Sequence, residues 1–196
     1  MPLGANKAAI MGVSGVSTAD VVLLSEQTAD DDSTITFSSG ITSTYGEYIF
    51  RWYNFKPSGN NIALQFGINA TDGADYDDSL ITSTFFQTEH RENDDDALVA
   101  YQTSLDRAEV ALFQTLDMGV GDGADESGCG ELHIFNPSST TYVKHFIAQS
   151  HVYHTSDYPK RGFAAGYIND TTAIDDVQFK VASGTMDGTF KMWGVK

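Results

Sequence analysis

The sequence has one cysteine, four prolines and no apolar run near the ~18 residues that a membrane-crossing helix needs. A lone cysteine, Cys129, closes no internal disulfide, so stability has to come from packing or assembly, and synthesis in a reducing cytoplasm is expected. Basic residues are also scarce: 11 Lys and Arg stand against 27 Asp and Glu in 196 residues, a formal net charge of −16. Such a surface repels nucleic-acid phosphates and anionic lipid, which excludes nucleic acid and membrane as expected partners. It suits salty water, where screening over ~10 Å or less relieves the self-repulsion. Helical signals are nearly missing. Only "TEHRENDDDALVAYQTSLDR" could hold a helix, and its Asp run argues against one.

What remains is β pattern. "NIALQFGIN" alternates, with Ile62, Leu64, Phe66 and Ile68 on one face, and "VQFKVAS" does the same with Val177, Phe179 and Val181. Similar runs are expected to form strands over 21–25, 34–38, 47–55, 81–86, 98–103, 110–118, 131–135, 141–149, 161–168 and 189–195. Turn clusters such as "KPSGNN", "GVGDGADESGCG" and "NPSSTT" separate them. About a dozen short strands at this spacing predict an all-β, antiparallel β-sandwich, and a jelly roll is the version expected at this size. The chain divides into an N-terminal arm, 1–20, and a sandwich domain, 21–196. The arm's small apolar residues, Leu3, Ile10, Met11 and Val13, are expected to dock on the body or on a neighbour.

Two strands are apolar on both faces. "EYIFRWYNF" sets Tyr48, Phe50 and Trp52 against Ile49, Tyr53 and Phe55, and "TFKMWGV" sets Phe190 and Met192 against Trp193 and Val195. A sandwich strand normally has one wet face, so a second covered surface is expected, formed by folded-over loops or by another subunit. Phe50, Trp52, Tyr53, Phe190, Met192 and Trp193 are the candidate oligomer-interface residues, since aromatic residues and Met are enriched at such surfaces.

Motifs that carry chemistry are few. In "GVGDGADESG" position 124 is Ala124, which breaks a dinucleotide fingerprint, and Asp122, Asp125 and Glu126 would repel a phosphate. Asp72, Asp75, Asp122 and Asp125 are weak calcium candidates in acidic loops that lack the EF-hand spacing. In a strand, "HVYH" sends His151 and His154 to opposite faces, whereas His133 and His145, in successive strands, could meet. Cys129 is expected to be buried or in a loop, without a role. Glu109 and Asp117 flank "VALFQTL" on its polar parity, which predicts a wet face for both. No catalytic residue, resident metal or cofactor is assigned, and the chain is not expected to be an enzyme.

The opening "LGANKAAIMG", the central "STYGEYIFRWYNFKPS", the run "FNPSSTTYVKHF" and the closing "AGYINDTTAIDDVQFKVASGTMDGTFKMWGVK" resemble a family of small virion proteins of marine tailed bacteriophages, cyanophages among them. The resemblance covers nearly the whole chain. Family members close on a GT-aliphatic-K-aliphatic-aromatic-G pattern, matched here by Gly188, Thr189, Phe190, Lys191, Met192, Trp193 and Gly194, with Phe190 and Trp193 heavier than the usual Ile and Tyr.

The resemblance implies a non-enzymatic structural protein on the virion surface, made in the host cytoplasm and assembled with itself, a trimer being expected. Its other partners would be the capsid shell or the tail. The lack of heptads and shaft repeats leans towards a capsid decoration or cement protein. A tail-fibre or host-attachment subunit is the alternative; Tyr53, Tyr153 or Tyr158 could then stack on a host surface glycan, though core packing for Tyr53 and simple exposure for the other two are the plainer expectations. A free-standing carbohydrate-binding module is the second alternative.

Overall fold

The computed structural model describes residues 20–71, 73 and 75–196. The arm residues Leu3, Ile10, Met11 and Val13 and the calcium candidate Asp72 lie outside the described residues. Among those described, the regular elements are all strands: β1 (Val21–Asp32), β2 (Thr34–Phe37), β3 (Glu47–Pro57), β4 (Leu64–Ala70), β5 (Ile81–His90), β6 (Ala97–Tyr101), β7 (Arg107–Val110), β8 (Gln114–Thr115), β9 (Gly128–Phe135), β10 (Lys144–His154), β11 (Tyr158–Ile168), β12 (Ile174–Val181) and β13 (Met186–Val195).

They form two antiparallel sheets. The larger runs β1-β13-β3-β9-β10-β11-β5-β6, with β7 also paired to β5, and the smaller runs β2-β12-β4-β8. Four successive strand pairs, β1–β2, β3–β4, β8–β9 and β12–β13, each cross from one sheet to the other. Two excursions, β5 to β7 and β10 to β11, extend the larger sheet beyond β9. The all-β antiparallel sandwich expected from the strand pattern is therefore what the chain forms.

The core lies between the sheets and is aromatic. Phe179 of β12 stands with its ring centroid 5.7 Å from Phe50, 6.1 Å from Trp52 and 5.5 Å from Phe190, while Phe37 of β2 meets Phe50 at 5.4 Å. Further along, Phe66 of β4 packs edge-on against Phe146 of β10 at 5.2 Å. Tilted and edge-to-face pairs at these separations add to the free energy of burying such large rings.

This arrangement corrects the interface expectation. Phe50, Trp52, Phe190 and Met192 are all buried in the chain's own core and have no surface to offer a second subunit. Tyr53 and Trp193, of the opposite parity, point out of the sandwich, Tyr53 partly exposed and Trp193 half-buried. Phe55, grouped with Tyr53 by simple alternation, is buried instead. Asn54 has φ 52°, and the register of β3 against β9 shifts between Trp52 and Phe55, so a bulge returns Phe55 to the inner face.

The suspected helical stretch is a hairpin. Thr88 to His90 finish β5, Asp94 turns the chain at φ 58°, and Ala97 to Tyr101 return as β6. "VALFQTL" is broken as well: β7 ends at Val110 and the chain drops into the smaller sheet only at Gln114. Lys144, fully buried at the start of β10, donates from Nζ to the carbonyls of Asp170 and Thr172 and fixes the loop before β12.

Candidate functional site: the outer face of the larger sheet

Because side chains alternate across a strand, the registers of the larger sheet set its outward residues in rows. One row crosses Leu23, Trp193, Ile49 and His133, then continues through Ile147, Ala165 and Thr84. The next row is divided in character. Its first half is polar, Glu26, Lys191, Arg51, Glu131 and Gln149, and its second half is aromatic, Phe163, Phe86 and Tyr101. A third row carries Cys129, His151, Arg161, Thr88 and Val99.

The polar half is hydrogen-bonded from strand to strand. Lys191 Nζ lies 2.9 Å from Glu26 Oε2. Arg51 Nε donates to Glu131 Oε2 at 3.0 Å, Gln149 Nε2 donates to Glu131 Oε1 at 2.6 Å, and Arg161 Nη2 donates to Gln149 Oε1 at 2.5 Å. His133 sits 2.5 Å from Glu47 through Nδ1 and 3.5 Å from Glu131 through Nε2. Partial burial pulls the Glu131 carboxyl upward, but the hydrogen bond from Gln149 and the charges of His133 and Arg51 outweigh it and hold the group below its ordinary value. Glu131 is thus a fixed anion that orients its neighbours.

Aromatic rings frame this network. Arg51 lies 5.5 Å over the Trp193 ring, and Arg161 lies 4.6 Å over Phe163. Phe163 in turn stacks on Phe86, with centroids 4.6 Å apart and planes 11° from parallel. Phe86, Ile147 and Tyr53 stay 42 %, 53 % and 38 % exposed, a large apolar area for an outward sheet face.

The face is also hollowed. A cavity of about 360 Å³ opens between Phe86, Phe163, Ile147 and Glu131, and one of about 430 Å³ lies between Tyr53, Cys129, His151 and Arg161. Glu131 and Gln149 line both, so the two adjoin. A third, of about 390 Å³, shares His151 and Arg161 with the second and reaches Val99. At the other end Phe135 joins the first to a cavity of about 870 Å³ between Tyr45, Tyr142 and His145. A small residue makes part of this room: Ala165 leaves space above β11. The result is a groove of adjoining hollows across the strands, with apolar rings and fixed hydrogen-bonding groups in its walls.

Comparison with protein-family models, with characterised proteins and with solved structures finds no match. The geometry therefore carries the functional argument for this chain.

The remaining sequence expectations fall as follows. Asp75, Asp122 and Asp125 do not converge, and among the described residues no three His, Cys, Asp or Glu side chains are grouped to hold a metal ion. His133 and His145 do not pair; His133 faces Ile147 across β10 and bonds Glu47, while His145 lies beside Tyr167. His151 and His154 do lie on opposite faces, one exposed and one buried. Cys129 is exposed on β9, in neither a core nor a loop position. Tyr158 is buried against His154, so it offers no free ring, whereas the Tyr53 ring stays partly exposed, with Lys191 Nζ 6.0 Å from its centre.

Asp117 reverses its expectation most completely. It is fully buried, and its two oxygens accept N–H groups from Leu64 at 3.1 Å and Gly119 at 2.9 Å. Burial raises its pKa to about 7 against the pull of those donors. Both oxygens are occupied inside the protein, which makes it a brace between β4 and the loop after β8. The groove residues Arg161, Phe163, Phe86 and Gln149 were missed, although the alternation in "RGFAAG" already puts Arg161, Phe163 and Ala165 on one face.

Proposed function

We propose that this chain is a non-enzymatic structural protein on the surface of a tailed-phage particle, acting there as a host-attachment subunit. The family resemblance of the sequence supports the particle. The outer groove of the larger sheet supports the role, and it is the observation that carries the reading: hydrogen-bonding side chains locked to one another, beside exposed aromatic rings, are the means by which proteins hold sugar-like ligands. The strand orders β1-β13-β3-β9 and β2-β12-β4-β8 are read as a jelly roll, extended by the two excursions that build the groove.

Capsid decoration is the second reading. It is favoured by Val21, Leu23, Trp193 and Val195, outward apolar side chains clustered where residues 1–19 join the fold. In that reading the arm anchors a self-assembled unit, a trimer by expectation, to the shell.

Gold-labelled antibody against the protein, imaged on particles, separates these readings. Label at the tail supports attachment, and label spread over the head supports decoration. If no particle carries label, a free-standing carbohydrate-binding module replaces both.

A further inference from the structure

Arg161 stands in the groove without a carboxylate partner among the described residues, in a protein where acids outnumber bases by 27 to 11. It is nevertheless held in place. Phe163 supports its guanidinium face, and Gln149, itself tied to Glu131, takes one of its N–H groups. A planar fork held this way, with donors left over, is suited to a carboxylate or sulfate oxygen pair.

We propose that the groove binds an acidic polysaccharide, with a carboxylate or sulfate on Arg161 and the apolar faces of its sugar rings against Tyr53 and Phe86. This rests on the attachment reading and names the ligand class for the same face. Tyr53 and Arg161 border one cavity and Phe86 borders the next, so a charged group at Arg161 has an apolar ring on either side along the groove. The joined cavities accommodate several successive units of a polymer, where one small molecule would need a single pocket.

Two other occupants fit less well. A second copy of the chain would bury the ionic centre of this face, Arg51, Glu131 and Arg161, whereas the core of a subunit interface is depleted in charge. Nucleic acid carries a charge every ~1.7 Å and would be repelled by the net charge of −16. A polysaccharide with at most about one charge per sugar brings fewer charges along the same length, and Arg161 meets the one seated beside it. Salt screens the remaining repulsion beyond ~10 Å.

The test is affinity electrophoresis of the full chain through gels holding alginate, a polyuronate; carrageenan, a sulfated polymer; or dextran, which is neutral. The wild type should be retarded by alginate or carrageenan, the stronger arm identifying carboxylate or sulfate, and should pass dextran freely. Arg161→Gln should weaken the interaction at least tenfold, and Arg161→Lys should fall between the two. Free passage of the wild type through both acidic gels overturns the proposal, as does equal retardation of R161Q or of all three polymers. Sedimentation of wild type and R161Q covers the rival: an assembly that R161Q dissociates would make this face a self-interface and overturn it too. Particle labelling is independent of these results. Binding without labelled particles removes the attachment reading and keeps the ligand; labelled tails without binding remove only the ligand.

Discussion

The Arg161 guanidinium carbon lies 4.6 Å from the centre of the Phe163 ring, two residues along the same strand and on the same face. Phe163 also stacks on Phe86, so the guanidinium and two aromatic rings form one cluster across β11 and β5. Packing holds the cation in place of a salt bridge, which leaves its charge free for a ligand.

That arrangement predicts a small, measurable coupling. Exposed cation–π pairs contribute about 0.5–1 kcal/mol. In urea denaturation, a double-mutant cycle of Arg161→Gln and Phe163→Leu should return a coupling in that range, and R161Q alone should cost about 1 kcal/mol, the size of that lost contact. A coupling near zero would mean that the ring does not hold the guanidinium in solution. The small cost of R161Q also ensures that lost ligand binding would not reflect unfolding.

Asp117 is a second point where charge and packing meet. Replacing it with Asn leaves one acceptor where two N–H groups converge and sets an amide NH2 against the other, for a cost of about 1–3 kcal/mol. Asp117→Ala orphans both Leu64 N–H and Gly119 N–H and should cost more. Urea midpoints at pH 7 should therefore fall in the order wild type, D117N, D117A. If D117A matches wild type, Asp117 does not brace these strands.

Alternation makes most of the strands legible in the sequence alone. "NIALQFGIN", "VQFKVAS" and the last strand lie where their period-two pattern puts them, because one face of each must be buried. Bulges were not legible. Phe55 returns to the core through Asn54 at φ 52°, and a single residue in the left-handed region reverses the parity of the residues after it. Asp117 was misread for a related reason: the pattern assumed one continuous strand over 110–118, but the chain leaves one sheet after Val110 and enters the other at Gln114. The surplus apolar face was legible in Tyr53 and Trp193. Its meaning was not, because the groove needs five or more strands in register, and register between distant segments is absent from any local pattern.

Two buried groups give opposed pH dependences. The native pKa of Asp117, about 7, is above the ordinary carboxyl value of 3.8, so the native state holds a proton that the unfolded chain releases. Its contribution to stability is full below pH 4 and is lost as pH rises to 7. His154 is lowered to about 4 from 6.5, first by burial and then by the Lys160 charge, so its contribution is full above pH 6.5 and is lost as pH falls to 4. The slopes offset between pH 4 and 6.5. Chemical denaturation of the wild type should show a shallow profile there. Relative to it, D117N should lose stability more steeply on acidification, and His154→Gln more steeply as pH rises. Parallel profiles for all three proteins would refute the opposition.

Gly130 joins the core to the groove. A Cβ built on it would lie 2.2 Å from Trp52 Cζ2 and 2.6 Å from the Gln149 carbonyl oxygen, far inside van der Waals contact. The indole occupies the space that a side chain of β9 would fill, and Trp52 is fully buried beside Phe179. Gly130→Ala should therefore strain the packing of β3 on β9 and cost about 1–3 kcal/mol, the range for overpacked cores. The same movement would disturb Glu131, the next residue, and with it the bonds that hold Arg51 and Gln149. Thermal denaturation should show the lower midpoint, and tryptophan fluorescence should show Trp52 in an altered environment below the transition. An unchanged midpoint would mean that Trp52 moves aside freely, and that the groove floor is less rigid than its hydrogen bonds imply.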